Sequence, residues 1–169
     1  RYRRDLHRIP ELDFDLEQTI AYIEGVLDPL ACEVTHPCPS CVCAFFDAGV
    51  GAAHATAIRA DMDALPLQED RDRSYCSKND GVMHACGHDL HTTMLLGTAK
   101  TLCHMRDSFA GTVKFIFEPS EDTMPGGARA LVAAGVMENP HVDAIFGQHV
   151  CPSENDTVGT LNLYKGYFT

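Results

Sequence analysis

The sequence predicts an α/β domain with a mainly parallel central sheet and helices on both faces. Three observations predict it. Strand-like and helix-like patterns alternate along the chain, 169 residues are enough for one hydrophobic core, and the polar residues best suited to chemistry fall just beyond strand ends.

The elements follow in order. Leu16, Ile20, Ile23, Val26 and Leu27 recur near helical spacing, and Pro29 marks the end of that helix. Residues 41–47 (CVCAFFD) and 54–60 (HATAIRA) read as strands around a glycine turn, DAGVG. Residues 67–81 are polar and end in glycine, so they read as a loop. Met94, Leu95, Thr98, Ala99 and Leu102 define one face of a second helix over 92–105. GTVKFIFEP alternates Val113, Phe115 and Phe117 as a strand, stopped by Pro119. Gly126 and Gly127 precede a short helix that Gly135 ends. VDAIFGQHV reads as a buried apolar strand, and TVGTLNLY as a further candidate.

Composition narrows the function. Twenty-four acidic against thirteen basic residues give a net charge of −11, which argues against a nucleic-acid partner. No apolar run of about 18 residues is present, so no membrane span is expected. The opening RYRRDLHRIPELDFD is basic without a following apolar stretch, so it is not expected to be a signal peptide. It also lacks an initiator Met, and a trimmed or partial chain is expected. Eight cysteines fit reduced thiols in a cytoplasmic protein better than a disulfide framework, which belongs to chains too small for a core.

Four clusters carry potential chemistry. GVMHACGHDLHTT holds His84, Cys86, His88, Asp89 and His91, thiolate and imidazole donors typical of zinc-like ions. The bland alternative is a polar loop ahead of a helix, capped by Asp89. The density of donors favours metal. EPSED places Glu118, Glu121 and Asp122 at a strand end, where one carboxylate can ligate and its neighbour can move protons. His149 ends an apolar strand, where a single histidine is commonly a satisfied core or surface residue, and its position beside the two other clusters moves it towards ligand. Asp61 and Asp63 lie two apart, on one face of a strand, suited to ligating or, as favoured here, to orienting a ligand histidine. CPSCVC, with Cys38, Cys41 and Cys43, has no second CxxC and reads as ordinary thiols near a strand start.

In this order, LHRIPELDF, IRADMDALP, GVMHACGHDLHTTMLLGTA, GTVKFIFEPSED and AIFGQHV resemble the N-acyl-amino-acid amidohydrolases. That group includes hippurate and auxin-conjugate hydrolases, within the aminoacylase/carboxypeptidase superfamily. The resemblance implies a dinuclear-zinc-peptidase-like catalytic domain. It implies two divalent metal ions, zinc or manganese, and a small N-acyl amino acid or dipeptide-like substrate. It assigns Cys86, His88, Asp122 and His149 as metal ligands and Glu121 as the catalytic carboxylate. It further implies that residues 1–169 are the N-terminal portion of the catalytic domain, without the lid and dimerisation domain of a homodimeric full-length protein. That domain would follow about where LYKGYFT ends, and the chain beyond it would supply another His ligand. Two ions at about four ligands each need roughly eight positions, more than these side chains offer.

The chain departs from the family's Gln-Pro-Ala-Glu-Glu pattern with Glu118-Pro119-Ser120-Glu121-Asp122, and CPSCVC is unusual for the group. Two rival expectations stand beside the hydrolase: a truncated or degenerate homologue that binds metal weakly without catalysis, and a non-catalytic metal or redox module built on the cysteines.

Overall fold

The computed structural model describes residues 1–48, 54–151 and 157–162. Among the described residues four α-helices and five strands follow one another as α1 (Tyr2–His7), α2 (Glu17–Leu27), β1 (Glu33–Thr35), β2 (Val42–Ala48), β3 (Ala55–Asp61), α3 (His88–His104), β4 (Gly111–Glu118), α4 (Gly127–Ala133) and β5 (Ala144–Gly147).

The strands form one sheet in the order β1-β2-β4-β3-β5. The pairings of β4 with β3 and β3 with β5 are parallel, while those of β1 with β2 and β2 with β4 are antiparallel, so the sheet is mixed rather than mainly parallel as the sequence predicts. Connection length explains this. Only residues 49–54 separate β2 from β3, too few for a parallel crossover, which needs a dozen or more. The α/β reading therefore holds, with its parallel part in β4, β3 and β5.

Strand alternation divides the core between the two faces. Val42, Ala44, Phe46, Val113, Phe115 and Phe117 pack with Ile23 and Leu27 of α2 and Leu95, Leu96 and Ala99 of α3. On the other face Cys43, Ala57 and Ile116 pack with Leu131 of α4. Glu11 caps α2 from outside the helix, its carboxylate accepting from the Thr19 backbone at 2.9 Å and the Gln18 backbone at 3.1 Å.

Two sequence expectations change. The second helix begins at His88 rather than Thr92, with Gly87 at its N-cap in a left-handed conformation (φ 90°). His88, Asp89 and His91 are thus held on the first turns of a helix, not on a loop. The 142–150 segment contributes a strand, β5, but all four of its residues are exposed. Its strand partner among the described residues is β3, and Ile145 and Phe146 lie uncovered. Residues 157–162 form no strand, the rest of TVGTLNLY lies outside the described residues, and so does most of the DAGVG turn.

The register positions the site. Asp61 pairs with Glu118, so β3 and β4 end level, and the Met62 N–H donates to the Glu118 carbonyl at 2.9 Å. Beyond β4, the start of α4 is seated against the chain. A Cβ on Gly127 would lie 1.8 Å from the Pro119 carbonyl oxygen. Gly127→Ala is therefore expected to destabilise the fold by about 1–3 kcal/mol. Urea unfolding checks this: an unchanged midpoint contradicts the close approach.

Candidate metal centre

Four segments meet at the carboxyl end of the parallel strands: the residues after β3, the start of α3, the turn after β4 and the residues after β5. Gly87 lets two of them touch, since a Cβ there would lie 2.6 Å from Val150 Cγ2. Ser120, in a left-handed turn (φ 49°), redirects the chain after β4. The Asp122 N–H then donates to Asp63 Oδ2 at 3.2 Å.

His88 lies at the middle and is fully buried. Its Nδ1 donates to the Asp63 carbonyl oxygen at 2.8 Å, and Asp63 Oδ1 lies 3.3 Å away. That bond fixes the tautomer and leaves Nε2 to face the cluster. His88 Nε2 is buried and has no hydrogen-bond partner among the described residues. Asp61 Oδ1 lies 3.7 Å from it, and Glu121 Oε2 and Asp122 Oδ2 each lie 3.8 Å from it. Cys86 Sγ and His149 Nε2 are 3.3 Å apart.

Three sets of donor atoms fall within 4.8 Å of one another: Cys86, His88 and His149; Asp63, His88 and Asp122; and Asp61, His88 and His91. The four side chains singled out in the sequence as ligands are thus brought together, distributed over the first two sets with His88 in both. Glu121 lies beside them, its side chain 38% exposed.

His91, a further donor of the GVMHACGHDLHTT cluster, has both ring nitrogens engaged. Nδ1 donates to Asp61 Oδ1 at 2.6 Å, and Nε2 accepts the Val150 N–H at 2.9 Å. It therefore ties the end of β3 to the segment carrying His149. No local sequence signal distinguishes this role from ligation, because the partner is 59 residues away. Asp61 and Asp63 both hold histidine rings, but β3 ends at Asp61, so they do not share a strand face: Asp61 holds His91 through its carboxylate, and Asp63, beyond the strand, holds His88 through its backbone carbonyl.

The electrostatics are those of a site built for positive charge. The His88 pKa is raised to about 9: burial opposes protonation, but Asp63, Asp61 and Asp122 outweigh it. The Cys86 thiol is pushed up to about 11 by burial and then by the carboxylates of Asp122, Asp61, Glu121 and Asp63. Burial, followed by Asp61 and Asp122, raises Glu121 above the ordinary carboxylate range. Asp61 goes the other way, to about 2, because the His91 hydrogen bond and the charges of His88 and Arg59 overcome burial. Arg59 reaches Asp61 Oδ2 at 2.6 Å and Glu118 Oε2 at 2.5 Å, which occupies Glu118 in an ion pair.

A thiol, imidazoles and clustered carboxylates around an unpartnered, buried ring nitrogen fit a divalent cation. The cysteines of CPSCVC do not contribute. Cys38 Sγ and Cys41 Sγ lie 2.8 Å apart, and Cys41 and Cys43 pack beneath α4. None belongs to a donor set among the described residues.

The chain is similar to known proteins over most of its length. A family model described as peptidase family M20/M25/M40 matches residues 57–163. An N-acyl-L-amino acid amidohydrolase of Geobacillus stearothermophilus is 44% identical over 162 residues, covering 95% of this chain and 43% of that protein. Among solved structures, the Bacillus subtilis YXEP protein, described as a dinuclear metal binding peptidase, superposes with a TM-score of 0.83 at 43% identity, over 89% of this chain and 42% of that one. The aminobenzoyl-glutamate utilization protein of Klebsiella pneumoniae does so with a TM-score of 0.67 at 26% identity, over 89% and 42%. The chain thus spans less than half the length of these relatives.

Proposed function

Because the chain belongs to peptidase family M20/M25/M40, we propose that residues 1–169 are part of the catalytic domain of a two-metal hydrolase that cleaves the amide bond of N-acyl amino acids. The observation that carries this reading is His88 Nε2, buried and without a hydrogen-bond partner among the described residues, with carboxylate oxygens of Asp61, Glu121 and Asp122 3.7–3.8 Å from it and the ring in donor sets with Cys86 and His149 and with Asp63 and Asp122. The names of the similar proteins, an N-acyl-L-amino acid amidohydrolase and a dinuclear metal binding peptidase, support the substrate class and the metal count.

Cys86, His88, Asp122 and His149 are the residues that would hold the cations. Zinc and manganese both suit the mixed donor set. Bound divalent cations would supply Lewis acidity toward the amide carbonyl and lower the pKa of water. The chain's own residues do the rest. Asp63 and Asp61 fix the rings of His88 and His91. Glu121 is reachable from solvent, and its raised pKa suits a group that both takes and returns a proton. It accepts a proton from the attacking water and delivers it to the nitrogen of the departing amine.

The proposal extends to a small-molecule substrate, a cytoplasmic setting and a homodimer for the full-length protein. A net charge of −11 supports the absence of a nucleic-acid partner. No helix among the described residues is long and apolar enough to cross a membrane.

The test is hydrolysis of N-acetyl and N-benzoyl amino acids by the metal-loaded protein. Chelation is expected to abolish turnover and added zinc or manganese to restore it. Alkylating Cys38, Cys41 and Cys43 is expected to leave metal uptake intact. Turnover indifferent to chelation, or metal uptake lost with those three thiols, overturns the reading.

A further inference from the structure

We propose that His7, on α1, is a positioning residue of the metal centre: it clamps the first turn of α3 through Asp89 and so fixes where His88 presents its free nitrogen. This rests on the reading above that His88 is a metal ligand.

His7 is 2% exposed and lies between two buried carboxylates. Its Nδ1 is 2.7 Å from Asp89 Oδ2, and its Nε2 is 3.0 Å from Glu69 Oε1. Two carboxylates can only accept, so both ring nitrogens donate and the ring carries a proton. The hydrogen bond to Asp89 raises the His7 pKa, burial opposes it, and Glu69 adds to the rise. Arg3 Nη2 lies 3.3 Å from Nδ1, but the shorter bond to Asp89 decides where that proton points.

The clamp has anchors at both ends. Arg3 Nε sits 2.8 Å from Asp89 Oδ2, so α1 holds that carboxylate with two cations. Glu69 Oε2 accepts the Ser77 N–H at 2.6 Å, which ties the ring to the 67–81 loop. Two cations, Arg3 and His7, face two anions, Asp89 and Glu69, so the buried charges balance. Asp89 Oδ1 accepts its neighbour Leu90's N–H at 3.0 Å, at the helix end where a negative charge is favoured.

The link to the metal centre is covalent and short. Asp89 follows His88 directly in the first turn of α3. Gly87, before it, has no side chain to restrain that turn. The His88 ring is held from one side by the Asp63 carbonyl, while its backbone is held from the other by Asp89. Release of Asp89 frees the turn to rotate, and the ligand nitrogen shifts with it.

Cobalt(II) titration of the protein, read by the thiolate-to-cobalt and d–d absorption bands, tests the proposal. His7→Gln keeps an amide near Nε2 but none near Nδ1, and is expected to weaken cobalt binding by about 10–100-fold. His7→Asn places an amide N–H near Nδ1, toward Asp89, and is expected to recover most of that affinity. A merely structural role would not separate the two, so the unfolding midpoint of each metal-free variant is measured alongside. Wild-type affinity in His7→Gln overturns the proposal, as does equal loss in both variants in proportion to their lost stability. Should the His7 variants fail to fold, Asp89→Asn keeps the shape of the turn and is expected to weaken cobalt binding by about tenfold or more; unchanged affinity there overturns it too. Failure of the wild-type protein to bind cobalt is a different result, since it sinks the metal-centre reading and this inference with it.

Discussion

Glu121→Gln is expected to lower kcat on N-acyl amino acids by about 10²–10⁴-fold, the usual share of a positioned acid–base group, while leaving metal content unchanged. The substitution keeps size and hydrogen-bonding shape but removes the ability to take a proton. Glu121 Oε2 is 3.8 Å from His88 Nε2, near the donor cluster, yet Glu121 belongs to none of the donor sets. The expectation is therefore a split between binding and turnover. Elemental analysis of the purified variant, with rates measured at saturating substrate, reads both halves. A variant that keeps most of its rate removes Glu121 from the chemistry. One that loses its metal in step with its rate makes it a ligand instead.

His88→Ala is expected to have the opposite profile, with metal content falling to background and activity with it. His88 is the donor common to all three sets, and its ring is the buried hub between the carboxylates and the Cys86–His149 pair. Cutting it back leaves Asp61, Asp63 and Asp122 without the imidazole that each of them lies beside. His104→Ala, at the exposed far end of the same helix, serves as the control and is expected to retain full metal occupancy. Retention of metal by His88→Ala would show that the cation, if any, sits elsewhere.

Much of this site was legible in the sequence because its chemistry is concentrated locally. Cys86 and His88 stand two apart, and Glu121 and Asp122 are adjacent, so donor type and spacing marked the clusters, while the choice of ligands and of Glu121 as the catalytic carboxylate came from the family resemblance. The strands that deliver them were legible by alternation: Val113, Phe115 and Phe117 face one side of β4 and Ile116 the other. What could not be read was whatever depends on distant pairing. The inner bond of His7 spans 82 residues to Asp89, and its outer one 62 residues to Glu69. Nothing around His7 distinguishes it from a surface histidine on a basic helix. The start of α3 at His88 was missed because a glycine in a left-handed conformation can begin a helix as well as end a loop. The apolar run of β5 gave a strand correctly but not its burial, which depends on what packs against it rather than on its own residues. β1, with three residues and no fully buried side chain, carries too short a pattern to register.

Anomalous diffraction at the zinc edge, from crystals of the protein grown with zinc, tests the convergence of these side chains most directly. The predicted result is two neighbouring peaks that between them lie about 2.0–2.3 Å from Cys86 Sγ, His88 Nε2, the His149 ring and an Asp122 oxygen. A peak at Cys38 and Cys41, with none beside His88, would contradict it.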